Sequence, residues 1–340
     1  MINETLKFNE FGKNIFFTGA NSGIGLCAAI KLLKSKNYLY IPVKSKERKD
    51  LFIKKLRNYF DESYLNIYLT IFEDIDLANL EKITKLRNYF KKNNVIFDVI
   101  ILNAGMQYTG ALYPKVSKQG IELTFAVNHL SHFYLIKILS SLIKDSSESR
   151  IIITSSDVHN PKSSGGNIGK KAGLNNLNNF KDEIMGEFKN FNADRSYKNS
   201  KLCNILFARE LSNRLNIRKR KISIITWAPG LVFPENDLGF FRYSSKFNKF
   251  GYYLFSTIAN ILGISEKVNN AGDHLYQITM NKNFNNIQYL HLSNQLISFR
   301  KHKLAITKVS KEASNKELAF KLWELSEDLC NSFGTNLIDL

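Results

Sequence analysis

The stretch "NIFFTGANSGIGLCAAIKLLKS" (14–35) constrains the fold more than any other part of the chain. A short apolar run (14–18) ends in a turn carrying Gly19, Gly23 and Gly25, and "LCAAIKLLKS" (26–35) then repeats apolar residues at helical spacing. This reads as strand, glycine turn, helix. The alternation continues with strands at 38–43, 65–77, 97–105, 149–156 and 221–230, and helices at 46–60, 80–93, 120–143 and 196–215. "FDVIILNAG" (97–105) is consecutively apolar rather than alternating, as a strand buried on both faces must be. The expectation is an α/β protein: one Rossmann-type, doubly wound parallel sheet with helices on both faces, forming a single dinucleotide-binding domain over 1–340.

Three segments depart from this rhythm. Residues 157–195 are rich in Gly, Asn and Lys and too long for an ordinary connection, so they read as an inserted loop. Residues 231–264 include the aromatic stretch 250–264, expected as a lid over an apolar ligand or as a helix capping the core. A C-terminal helix is expected over 312–333.

Bulk properties narrow the classes. The net charge of +18 comes from scattered lysines with no basic tail or aromatic-interleaved stripe. That argues against dedicated nucleic-acid binding and leaves peripheral contact with an anionic membrane open. Cys27, Cys203 and Cys330 form no metal-ligand pattern or disulfide framework. With no apolar run after a basic head and none near spanning length, a cytoplasmic protein is expected, peripheral at most to an internal membrane. Oligomerisation is left open.

The glycine turn (Gly19, Asn21, Ser22, Gly23, Ile24, Gly25) suits close backbone approach to a diphosphate at a helix N-terminus. At the end of the second strand stand Lys44 and, one turn later, Arg48, with no carboxylate. Two cations there suit a ribose 2′-phosphate, so NADP(H) is expected rather than NAD(H). Asp76 and Leu77 are placed to contact adenine, and Asn103-Ala104-Gly105 to let the backbone pass close to the cofactor. In "RSYKNSKLCN" (195–204), Tyr197 and Lys201 lie four residues apart on one helix face, while Lys198 points elsewhere. A cation beside a phenol lowers its pKa, so Tyr197 is expected to exchange a proton near neutral pH.

Taken together, "TGANSGIG", "NAG" (103–105), Asn128 in "FAVNHLSHF", Ser156 in "RIIITSS", Tyr197, Lys201 and Pro229-Gly230 resemble the short-chain dehydrogenase/reductase family, over roughly residues 12–280. The resemblance implies a tetrad of Asn128, Ser156, Tyr197 and Lys201, with Ser155 second for the serine role. Tyr197 would be the proton donor, Lys201 would hold the nicotinamide ribose, and Asn128 would distort its helix and hold a water in a relay to Lys201. Pro229 and Gly230 would join the cofactor site. Within the family, "HNP" (159–161) with 165–177, "YKNSKLCN" and the C-terminal helix look like the light-dependent protochlorophyllide reductases, beside the retinol dehydrogenases. That likeness implies hydride delivery from NADPH to a tetrapyrrole double bond in a photosynthetic setting, with Cys203 a further catalytic candidate. The alternatives are a dark NADP(H)-dependent enzyme of a lipophilic carbonyl or alcohol, and a cofactor-holding protein without turnover. "PGLVFPENDLGFF" (229–241) departs from the cysteine and paired threonines usual after the reductases' Pro-Gly.

Overall fold

The computed structural model describes residues 12–186, 188, 191–233 and 249–333. Residues 234–248 of the segment expected as a lid or core-capping helix, residues 187, 189 and 190 of the expected loop, and the two ends of the chain lie outside the described residues. The strands are β1 (Asn14–Thr18), β2 (Tyr38–Pro42), β3 (Leu69–Phe72), β4 (Val99–Leu102), β5 (Ser149–Thr154), β6 (Ile222–Ala228), β7 (Leu231–Val232), β8 (Ser265–Glu266), β9 (Tyr289–Ser298) and β10 (Lys301–Ile306). Eight of them form one sheet in the order β10-β9-β6-β5-β4-β1-β2-β3. Every pairing in it is parallel except β9 with the edge strand β10. The chain winds from β1 outward to β3, then crosses back to β4 on the other side of β1. The carboxyl ends of β1 and β4 therefore diverge into helices on opposite faces, opening a crevice between them.

Strand periodicity explains how both faces are filled. Alternate residues point to opposite sides. Phe16, Ile100, Leu102, Ile151, Ile153 and Ile224 join one core, while Ile15, Phe17, Val99, Ile101, Ile152 and Ile225 join the other. The first core is covered by the helices Leu80–Lys92, Ser131–Leu139, Ala193–Ile217 and Lys316–Ser332. Helices Gly23–Lys34, Lys46–Leu56 and Val268–Met280 cover the second. Trp323 of the C-terminal helix sets its ring 4.9 Å from Phe133 and 5.9 Å from Phe207. The Arg214 guanidinium lies 4.4 Å over it.

Two differences from the sequence reading have local causes. The strand expected at 65–77 is a helix, Glu62–Tyr68, followed by the shorter β3. Asp61 caps that helix by accepting from the Tyr64 amide at 2.7 Å, and Tyr64 stacks on Phe60. An apolar alternation cannot reveal such a cap. Helix Val268–Met280 and strands β9 and β10 had no place in the sequence reading. Strand β9 buries His291, Ser293 and Asn294, so its polar residues hide the pattern that marks a strand. No helix among the described residues is long and apolar enough to cross a membrane.

Removing the Trp323 indole would leave a cavity between the C-terminal helix and the two helices beneath it. Trp323→Ala should therefore destabilise the protein by about 3–5 kcal/mol. Urea unfolding followed by circular dichroism measures this, and a loss below about 1 kcal/mol would mean that the helix does not complete the core.

Candidate functional site

The crevice between the β1 and β4 ends is a cavity of about 1120 Å³, lined at one end by the glycine turn and at the other by Ser156, Tyr197 and Lys201. The glycines perform different tasks. Gly19 has φ of +72°, and a Cβ there would come within 2.7 Å of the Ala104 Cα. A Cβ on Gly25 would stand 2.0 Å from the Gly19 carbonyl oxygen, so that position seats the helix on the strand. Gly23, with φ of +52°, has nothing within 4 Å of its missing Cβ and leaves the backbone bare to the cavity. Helix Gly23–Lys34 has no acidic residue in its first turn and Ser22 makes no side-chain cap bond, so the amides of the turn are presented to an anion. Asn21, Ser22, Ile24, Arg48, Leu77, Asn103, Ala104, Gly105, Pro229 and Gly230 all line the same cavity.

The sequence assigns Lys44 and Asp76 separate tasks, a phosphate ligand and an adenine contact. The structure pairs them at 2.8 Å. The Lys44 side chain is 61% exposed, so the pair is solvated and easily exchanged for a stronger anion.

A hydrogen-bonded web that motif reading did not identify holds the centre. Thr18 Oγ1 accepts from the amides of Asn103 (3.0 Å) and Ala104 (3.1 Å). Thr154 Oγ1 donates to Asn103 Oδ1 at 3.1 Å and accepts from the Trp227 indole at 2.9 Å. The Thr154 carbonyl then accepts from Lys201 Nζ at 3.2 Å and from Asn204 Nδ2 at 3.1 Å.

Helix Ala193–Ile217 is started by Asn192, whose Oδ1 accepts from the Arg195 amide at 2.8 Å. One turn in, Lys201 Nζ sits 5.7 Å from the centroid of the Tyr197 ring. Burial lowers the Lys201 ammonium to about 8. It pushes the Tyr197 phenol up, the Asp194 carboxylate adds to the rise, and a hydrogen bond from Ser156 opposes it. The expected lowering of Tyr197 by its cationic neighbour is therefore not what this geometry produces: desolvation of the phenolate outweighs it.

The two serines are told apart. Ser155 Oγ donates to the Lys201 carbonyl at 2.9 Å and serves the helix, whereas Ser156 engages Tyr197. Asn128 lies in a π-helical turn, Ala126–Leu130, so the expected helix distortion is present. It does not line the cavity. Its Oδ1 accepts from the Met106 amide (2.8 Å) and its Nδ2 donates to the Met106 carbonyl (2.9 Å) and Ser200 Oγ (3.0 Å). Its own carbonyl accepts from His132 Nδ1 at 3.1 Å, and the other ring nitrogen of His132 takes the Thr18 hydroxyl at 3.1 Å. Burial lowers His132 to about 3, so it stays neutral. The Asn128 side chain thus braces the site rather than facing into the cavity.

Cys203 is a correction. Two residues beyond Lys201 it is rotated by roughly 200° about the helix axis. It packs into the first core, fully buried, and burial raises its thiol pKa well above the ordinary value. It has a packing role and no access to the cavity. Residues missed by the sequence reading include Asp157 on the cavity wall, whose carboxylate accepts from Ser293 Oγ at 2.7 Å, and the β9 residues Asn294 and Gln295. No local motif signals these, because β9 reaches the site through the sheet.

A model of the short chain dehydrogenase family matches residues 13–168. The fold and the glycine turn agree with that family, and the Tyr-Lys pair lies beyond the matched residues. The chain is 28% identical over 331 residues to protochlorophyllide reductase, chloroplastic, of Pisum sativum, spanning 93% of this chain and 77% of that protein. It is also 32% identical over 216 residues to the WW domain-containing oxidoreductase of Homo sapiens, spanning 63% of this chain and 48% of that protein. L-sorbose reductase from Gluconobacter frateurii, solved with NADPH and L-sorbose, aligns with a TM-score of 0.59 at 12% identity, over 85% of this chain and 97% of that one. At that identity the likeness concerns the fold.

Burial of the Lys201 charge gives a signed pH dependence. The unfolded chain keeps that proton up to about pH 10.5 but the folded chain only to about 8, so folding releases a proton in between and stability rises with pH there. Below pH 8 the whole penalty is present. Lys201→Met should be more stable than the parent by roughly 3 kcal/mol at pH 7, the gap closing as pH approaches about 10.5. Asn204 still satisfies the Thr154 carbonyl in the variant. Urea unfolding across this range decides the matter, and a gap independent of pH would contradict a buried ammonium.

Proposed function

We propose that the chain is an NADP(H)-dependent oxidoreductase that reduces an unsaturated, largely apolar substrate, a tetrapyrrole double bond of the protochlorophyllide type being the first candidate. One observation carries the reading: a single cavity joins the glycine turn and its cations to the Ser156, Tyr197 and Lys201 cluster. The residues suit the cofactor. The bare backbone at Gly23 and the helix N-terminus would hold the diphosphate, and Lys44 and Arg48 the 2′-phosphate. Asp76 and Leu77 would flank the adenine, with Asn103, Ala104 and Gly105 beneath the dinucleotide. Tyr197, Lys201, Pro229 and Gly230 would border the nicotinamide riboside. When bound, the reduced nicotinamide supplies a hydride.

Everything else falls to the protein. With its pKa raised by burial, Tyr197 is a protonated phenol at neutral pH and enters the reaction as an acid. Lys201, lowered only to about 8, is still mostly charged at pH 7 and stabilises the phenolate left after proton transfer. Ser156 hydrogen-bonds the same phenol and orients it. One hydride and one proton then saturate one double bond. The apolar wall of Leu123, Val127, Ile168, Val232, Phe255 and Ile258 supports a lipophilic substrate. The protochlorophyllide reductase likeness over 93% of the chain supports the tetrapyrrole.

A dark carbonyl or alcohol reaction is the second reading, favoured by the packing of Cys203 away from the cavity. Flash illumination of the purified protein with NADPH and protochlorophyllide separates them. Light-dependent loss of protochlorophyllide with a red-shifted product supports the first, and dark NADPH consumption with retinal supports the second. Whichever turnover is found, Tyr197→Phe should lower it at least about a hundredfold. An unchanged rate would remove Tyr197 from the chemistry.

The cofactor assignment has its own test. Lys44→Ala or Arg48→Ala should raise the Kd for NADPH about tenfold, or 1.4 kcal/mol, and move that for NADH little. Equal effects on both cofactors, measured by fluorescence titration, would place the 2′-phosphate elsewhere.

A further inference from the structure

Lys198 follows Tyr197 directly, so its side chain leaves the helix about 100° away from the phenol. It is nevertheless buried, with 3% of the side chain exposed. An ammonium has three protons to donate, and each finds an acceptor. They are the Ile168 carbonyl, the Lys170 carbonyl at 2.9 Å and the Asp194 carboxylate at 2.9 Å. The two carbonyls converge because Gly169 between them adopts φ of +63°, and a Cβ there would stand 3.0 Å from Asp194 Oδ2.

The same helix grips the loop again just beyond. Asn199 Oδ1 accepts from the Gly173 amide at 2.9 Å, and Arg195 donates to the Gly173 carbonyl at 3.1 Å. Upstream, the loop residues Asn160, Lys162, Ser163, Gly165 and Ile168 form one wall of the cavity. The segment 157–195 is thus fastened to the helix bearing the proton donor by a cation on the cavity wall whose three protons are taken up within the protein.

We propose that Lys198 is a positioning residue: its ammonium pins residues 168–170 to the Tyr197 helix, so that the substrate-side wall and the proton-donating phenol move as one body. Two consequences follow. Without the cation, the carbonyls of 168 and 170 lose their donor and the wall loosens, while the glycine turn is untouched. Asp194, which raises the proton affinity of Tyr197, also loses the charge that offsets it. The kinetic consequences rest on the proposed oxidoreductase function; loosening of the loop does not.

Hydrogen–deuterium exchange of the full chain should show exchange at 162–174 at least about tenfold faster in Lys198→Met, with the glycine turn and the helix beyond residue 201 unchanged. Lys198→Arg should restore much of the protection. Gly169→Ala, which strains the positive φ and presses on Asp194, should reproduce the pattern should Lys198→Met fail to fold. With NADPH and whichever of protochlorophyllide or retinal is turned over, KM for that substrate should rise about tenfold. The Kd for NADPH should stay within about twofold, and the alkaline limb of the kcat–pH profile should move upward. Unchanged exchange over 162–174 in both variants overturns the proposal. So does acceleration spread across the whole chain, which would make Lys198 a general stabiliser. If neither substrate is turned over, the functional reading fails while the exchange result still decides this one.

Discussion

The site depends on what Thr154 does at the end of β5. Its hydroxyl joins Asn103 to Trp227, linking the ends of β4 and β6, while its carbonyl takes the Lys201 ammonium and the Asn204 amide. One residue therefore couples the sheet, where the glycine turn is anchored through Asn103 and Thr18, to the helix that carries Tyr197. A buried ammonium is costly unless its protons are taken up. The fold meets that requirement only in part, with a strand-end carbonyl that a parallel sheet leaves unpaired at its carboxyl edge.

Around this anchor, burial rather than proximity sets the electrostatics. A neighbouring cation alone would acidify the Tyr197 phenol, but Lys201 is buried and Tyr197 partly so, and each charged form is penalised. Lys201 moves down, Tyr197 moves up, and the pair suits a proton donor with a cation waiting to stabilise what remains. Lys198 shows the contrasting case. Its ammonium is also buried, but three acceptors surround it and it acts mechanically.

Much of the fold was legible along the chain. The consecutive apolar runs at β1, β4, β5 and β6 allow only a sheet covered on both faces, and the glycine turn locates the crevice. Legibility failed where tertiary contacts override pattern. Helix Glu62–Tyr68 forms on the strength of the Asp61 cap and its packing, although its residues also read as strand. Strand β9 is polar inside because His291, Ser293 and Asn294 serve the cavity and its neighbours, so alternation could not disclose it.

Local spacing by itself determined that Tyr197 and Lys201 share a helix face, that glycines bare the backbone of the turn after β1, and that two cations stand at the end of β2. These are short-range facts, set by 3.6 residues per turn and by the absence of a Cβ. Packing in three dimensions decided the rest. It turned Ser156 to the phenol and Ser155 to the helix, spent the Asn128 amide on Met106 and Ser200, paired Lys44 with Asp76, and sent Cys203 into the core. Each of these depends on a partner many residues away along the chain, and only the folded sheet and its helices bring such partners within a hydrogen bond.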